Sequence, residues 1–250
     1  MFNLNEGLFS IIKCNEDWQM YLIVAIGVIA VIAVSYLLGS INSAIIISKI
    51  LYKDDIRKYG SGNAGMTNML RTFGKKAALL TLIGDLLKTA LAILFAAVLF
   101  GFHYFGGISA QDFCYVAGLF AVLGHVFPIY YKFKGGKGVL ATSTMALILT
   151  PVPFVILLLL FIGVVWASKY VSLGSVCVAT LYPVLVAGYI KFLGEQTPGI
   201  MMLCCILIAI FIVWCHRENL RRISERTERK ISFGKGKKEK IEEKKSDDAE

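Results

Sequence analysis

Long apolar runs dominate this chain and leave few folds open to it. In order they cover Trp18 to about Leu51, Ala77 to about Phe102, Phe113 to about Tyr131, Val139 to Thr150, Phe154 to Ala167, Tyr170 to Ile190, and Gly199 to Cys215. A helix crosses a bilayer's hydrocarbon core with roughly 20 apolar residues. In lipid, only helices and closed barrels satisfy every backbone polar group internally. The pattern predicts an all-α, polytopic integral membrane bundle of about seven helices. The first run exceeds one crossing, so a break is expected near Gly39-Ser40. The run from Val139 is short for a span, and Pro151 and Pro153 are expected to mark a turn. Glu6, Glu16 and Asp17 against a lone Lys13 argue against a cleaved leader.

The net charge of +9 raises nucleic acid as a partner, and its placement argues against it. With the N-terminus outside and seven crossings, Lys53, Arg57, Lys58, Arg71, Lys75 and Lys76 fall on one side. The segment 132–138 and the charged C-terminus fall there too, and only Lys13 and Lys191 fall opposite. That skew is the positive-inside pattern, so these segments are expected in the cytoplasm. Residues 1–230 form one membrane domain in this reading. Residues 231–250, rich in Lys, Glu and Asp, read as a disordered tail. The cysteines show neither metal nor disulfide spacing and read as small buried residues.

Three hydrophilic connectors carry the chemistry. The first runs Gly60-Ser61-Gly62-Asn63-Ala64-Gly65-Met66-Thr67-Asn68-Met69-Leu70-Arg71. Its glycines let the backbone curl so that several N–H groups point at one anion. Ser61, Asn63, Thr67 and Asn68 add hydrogen-bonding side chains, and Arg71 adds a planar fork suited to phosphate. The bland alternative is a polar loop between helices. The second connector, Lys134-Gly135-Gly136-Lys137-Gly138, opens an apolar run, so it sets glycines and lysines at a helix N-terminus. It lacks the P-loop spacing, and a positive-inside turn would explain its lysines but not its glycines. The third, His216-Arg217-Glu218-Asn219-Leu220-Arg221-Arg222, leaves the last run. His216 and Asn219 share a helix face there, although a basic collar would also account for the arginines. Asp85 and Lys88, three residues apart inside the second run, can pair with each other, as a structural or functional element.

Taken together, these connectors resemble the bacterial acyl-phosphate-dependent glycerol-3-phosphate acyltransferases, up to about Glu228. Gly39-Ser40, Asp55-Ile56-Arg57, Gly60 through Arg71 and Asp85-x-x-Lys88 resemble the family's first block. Gly124-His125 and Phe133 through Gly138 resemble the second, and His216-Arg217-Glu218-Asn219 through Thr227-Glu228 the third. Asn42 stands where the family usually has proline. Thr89 and Arg226 stand where it usually has glycine.

The resemblance implies transfer of an acyl group from acyl phosphate to the 1-hydroxyl of sn-glycerol 3-phosphate. The products would be lysophosphatidic acid and inorganic phosphate, in the first step of phospholipid synthesis at the bacterial cell membrane. Ser61, Arg71, His216 and Asn219 are then the expected catalytic group. Gly60, Gly62, Asn63, Gly65, Thr67, Asn68, Lys134, Gly135, Gly136, Lys137 and Gly138 are expected to bind substrate. Asp85, Lys88 and Glu228 are expected to be structural. No cofactor or metal is implied, and the partners are the two substrates and membrane lipid. The main rival reading is a membrane transporter of a phosphorylated solute, with inverted repeats and midplane charges. A lipid-binding scaffold and an enzyme with an acyl thioester donor are weaker rivals.

Overall fold

The computed structural model describes residues 7–8, 16–101, 104–105, 108–196 and 198–231. Expectations for Lys13, Cys14 and the tail beyond Ile231 lie outside them. The chain forms helices α1 (Asp17–Ser40), α2 (Ser43–Tyr52), α3 (Met66–Phe73), α4 (Lys75–Phe100), α5 (Ala110–Val126), α6 (Val139–Leu149), α7 (Pro151–Ser168), α8 (Val171–Phe192), α9 (Gly199–Cys215) and α10 (Arg217–Ser224). A two-residue antiparallel pair, Tyr104–Phe105 with Ile108–Ser109, sits in the link before α5.

Among the described residues, five segments are long and apolar enough to cross a membrane: residues 18–52, α4, 110–131, α7 and α8. The pair α9 and α10, bent by 50°, makes a sixth if counted as one span. The remaining expected crossing, the run from Val139, forms α6 and falls short. Its 11 residues reach about 16 Å, against a hydrocarbon core of about 30 Å.

The break in the first run follows from side-chain capping. Ser40 Oγ donates to the Tyr36 carbonyl, and the Asn42 side chain accepts from Ile45 N at the start of α2. Asn42 also donates to the Ala64 carbonyl at 3.4 Å. The Asn42 cap therefore starts the second helix directly after the first ends.

The polar segment 52–76, which the sequence suggests is loop, contains a 3-10 turn at Ile56–Lys58 and the amphipathic helix α3. Pro151 and Pro153 mark the break at Thr150 between α6 and α7. They occupy the first turn of α7, where the missing proline N–H costs no helical bond.

Helix α5 lies at the centre, packed by α1, α4, α6 and α9. Its approach to α1 depends on two glycines. A Cβ on Gly39 would stand 2.2 Å from the Ala121 carbonyl oxygen, and one on Gly124 would stand 2.3 Å from that of Tyr36. Small residues permit such close crossings in membranes. This crossing fixes Ser40 and His125, and so both loops attached to them.

Candidate active site

The first connector is folded around one side chain. Asn68, fully buried on α3, donates through Nδ2 to the carbonyls of Tyr59 and Asn63 at 3.0 Å and of Ile56 at 3.3 Å. Its Oδ1 accepts from Ser61 N at 3.1 Å. Gly60 holds φ +59, and a Cβ there would meet Asn68 Oδ1 at 2.2 Å. The loop is therefore pinned from inside. Ser61, Asn63 and Thr67 line the cavity with no side-chain hydrogen bond among the described residues.

The second connector is tied to the first and to the bundle. Arg57 forks onto Asp55 at 2.7 Å and donates to the carbonyls of Tyr131 and Lys134. Gly135 N and Gly136 N donate to the carbonyls of Val126 and His125. A Cβ on Gly136 would stand 2.0 Å from His125 Nε2. These two glycines are thus needed for packing onto α5, and their N–H groups are already committed. Under them, buried Lys88 donates to the Ile41 carbonyl at 2.8 Å and to His125 Nδ1 at 2.9 Å, with Asp85 Oδ1 3.0 Å away. One lysine therefore joins the α1–α2 break, α4 and α5.

The third connector supplies a polar cluster. Asn219 Oδ1 accepts from Lys137 Nζ, and Asn219 Nδ2 donates to Glu228 Oε1 at 2.6 Å. Ser172 on α8 donates to the same oxygen at 2.8 Å, and Arg222 Nε holds Glu228 Oε2 at 2.8 Å. These donors outweigh the opposing effect of burial and hold the Glu228 carboxyl below its ordinary pKa. Burial pulls Lys137 down to about 8. Burial, and then the charge of Lys137, pulls His216 down to about 4, so its imidazole is neutral at pH 7. His216 Nδ1 lies 2.7 Å from the Ile212 carbonyl, which only accepts. The proton therefore sits on Nδ1, and Nε2 keeps a lone pair.

All three connectors line one cavity of about 950 Å³. At its polar end lie Arg71, Lys137, Arg222 and Arg229, with Glu228 paired to Arg222. Arg71 makes no ion pair among the described residues. Burial and then the like charge of Arg229 lower its pKa. Uncompensated cations facing one another across an open space are suited to an anion. The other end is apolar, walled by α6, α7 and α8.

The family model described as Glycerol-3-phosphate acyltransferase matches residues 29–226. This chain belongs to the glycerol-3-phosphate acyltransferase family. Proteins of that name from Chlorobium luteolum and Syntrophomonas wolfei are 35% and 38% identical to it, over 83% and 81% of this chain and 97% and 96% of theirs. The crystal structure of PlsY (YgiH), an integral membrane glycerol 3-phosphate acyltransferase in its glycerol 3-phosphate form, superposes with a TM-score of 0.71 at 31% identity. That match covers 82% of this chain and 96% of PlsY. The lysophosphatidic acid form gives a TM-score of 0.69 at 30% identity. The chain is accordingly a multi-span membrane acyltransferase.

In this acyltransferase Gly60, Ser61, Asn63, Gly65, Thr67, Asn68, Arg71, Asp85, Lys137, Gly138, His216, Asn219 and Glu228 border the cavity. Gly62, Lys88, Lys134, Gly135 and Gly136 stand outside its wall, and Lys134 points to solvent. Sequence reasoning missed Ser172, a serine in the first turn of an apolar helix, and Arg229. It placed Glu228 among the structural residues, yet Glu228 organises the polar cluster.

The strap that delivers Glu228 turns at Arg226, whose φ is +59. A left-handed L-residue costs roughly 1–2 kcal/mol, and glycine gives back roughly 0.5–1 kcal/mol through unfolded-state freedom. Arg226→Gly is therefore expected to leave the thermal midpoint in detergent unchanged or raised. The β-branched Arg226→Val is expected to lower it.

Proposed function

We propose that this acyltransferase uses acyl phosphate to acylate the 1-hydroxyl of sn-glycerol 3-phosphate, releasing lysophosphatidic acid and inorganic phosphate. One observation carries the reading: a single cavity joins an uncompensated cationic end to an apolar channel. Such a site fits one phosphate bearing a long acyl chain beside a second, small phosphate. The PlsY structures, in glycerol 3-phosphate and lysophosphatidic acid forms, agree with an acceptor and a product of that kind.

Arg71, Arg229 and Lys137 neutralise the phosphates. Ser61 and the N–H groups of Met66 and Thr67, unpaired at the start of α3, face the donor phosphate. Asn219 and His216 hold the acceptor. The hydroxyl oxygen bonds to the acyl carbonyl carbon, the bond from that carbon to the phosphate oxygen breaks, and inorganic phosphate leaves. His216 Nε2 takes the hydroxyl proton. Phosphate charge beside the imidazole raises its pKa on binding and makes it a better base. Alignment of the two substrates supplies much of the rate. The cavity lies at the cytoplasmic surface of the bacterial cell membrane in this reading, since the positive loops border it.

The test is purified protein in detergent with glycerol 3-phosphate and either acyl phosphate or acyl thioester. Lysophosphatidic acid should form with acyl phosphate only. Turnover of the thioester at an equal rate would contradict the donor assignment.

A pH prediction follows from Lys137. Its charged form prevails below about 8, so kcat/KM for glycerol 3-phosphate, which reports free protein, should fall as pH rises through about 8. Lys137→Arg keeps its proton throughout and should move that limb to higher pH. An unmoved limb would show that another group titrates.

A further inference from the structure

Beyond its cationic end the cavity runs between α6, α7 and α8, walled by residues such as Leu147, Leu157, Phe161 and Val178. Along α8 the lining passes from Ser172, which holds Glu228, to Tyr182. Ten helical positions separate them, or about 15 Å. At Tyr182 the character of the wall changes. The ring is buried, with its hydroxyl against the equally buried Tyr115 hydroxyl. Pro183 follows and has no N–H to give the Ala179 carbonyl, its usual helical acceptor. Thr150 adds a further hydroxyl at the same place.

An alkyl chain gains free energy from each methylene that it buries against apolar wall. The rigid Tyr182 ring closes the path along α8. We propose that Tyr182 is the floor of the acyl channel and sets the longest acyl chain that this enzyme uses well. The inference rests on the acyl-donor reading above. Ala179 lies three positions nearer the phosphates on the same wall and is buried. That is about 4.5 Å of helix. With C–C bonds of about 1.5 Å in zigzag, it corresponds to roughly three to four carbons.

The experiment measures kcat/KM for a series of acyl phosphates of increasing chain length, with the full chain in detergent. Ala179→Leu should move the preferred length down by three to four carbons. It should also lower the long-to-short ratio at least about tenfold, the usual scale for methylenes that no longer fit. Tyr182→Val should raise that ratio. Tyr182→Phe, which keeps the ring, should leave the profile in place and controls for packing. The proposal is overturned if Ala179→Leu and Tyr182→Val each scale every chain length by one common factor. It is also overturned if the profile does not move in variants that still turn over short donors. The unsubstituted protein in the same series reports separately on the donor reading, which fails if no acyl phosphate is consumed.

Discussion

Lys137→Met should lower kcat/KM for glycerol 3-phosphate by about 10²- to 10³-fold, the loss typical of removing one preorganised donor from a site of developing charge. Methionine keeps the length and apolar stem of lysine, so the fold should survive. Lys137 lies at the centre of the cluster, bonded to Asn219 and facing His216 and Glu228. Its removal deletes a cation from the phosphate end and frees the Asn219 oxygen to turn. Lys134→Met is the contrast, because that ammonium is exposed and outside the cavity wall. Its loss should change kcat/KM by less than about threefold, the scale of a solvated charge. Equal losses in the two variants would remove Lys137 from the site.

Glu228→Gln should cost about 10²-fold in kcat/KM, on the scale of a misplacement of about 1 Å among reacting groups. The carboxylate accepts on both oxygens, from Asn219 and Ser172 on one and from Arg222 on the other. An amide accepts on one atom only. Whichever way it turns, an N–H group faces a donor, and the strap from Thr227 must shift. Ile231 N, bonded to the Lys169 carbonyl at 2.8 Å, anchors the far end of that strap. Loss of order should therefore be local and should show as a raised KM with a lowered kcat. Glu218→Gln breaks an exposed pair with Arg221 and should leave the kinetics unchanged. A Glu228→Gln enzyme with unchanged kinetics would return Glu228 to a purely structural place.

The membrane bundle was legible because hydrocarbon demands long apolar helices, and these announce themselves in composition. The site was legible in type for the same kind of reason. Arg71, Lys137, His216 and Asn219 are polar residues at the ends of apolar runs, where bland readings leave some of them unexplained. The sequence could not show which glycines serve the anion and which serve packing. Gly135 and Gly136 read as an anion cradle, yet their N–H groups bond to α5 carbonyls, a fact of tertiary contact. Asn68 read as a ligand group, and it is the pin of its own loop. Ser172 left no trace, since one serine beside an apolar run has no pattern. Helix α3 was read as loop because its eight residues carry an amphipathic surface turn too short for a clear period.

The account depends on one cavity holding both substrates at once, so that the acceptor hydroxyl attacks the acyl phosphate directly. Rapid-quench measurement of phosphate release, with and without glycerol 3-phosphate, tests this most directly. Phosphate and lysophosphatidic acid should appear together, in equal amounts, and only when glycerol 3-phosphate is present. A burst of phosphate equal to the enzyme in its absence, with the acyl group left on the protein, would contradict it.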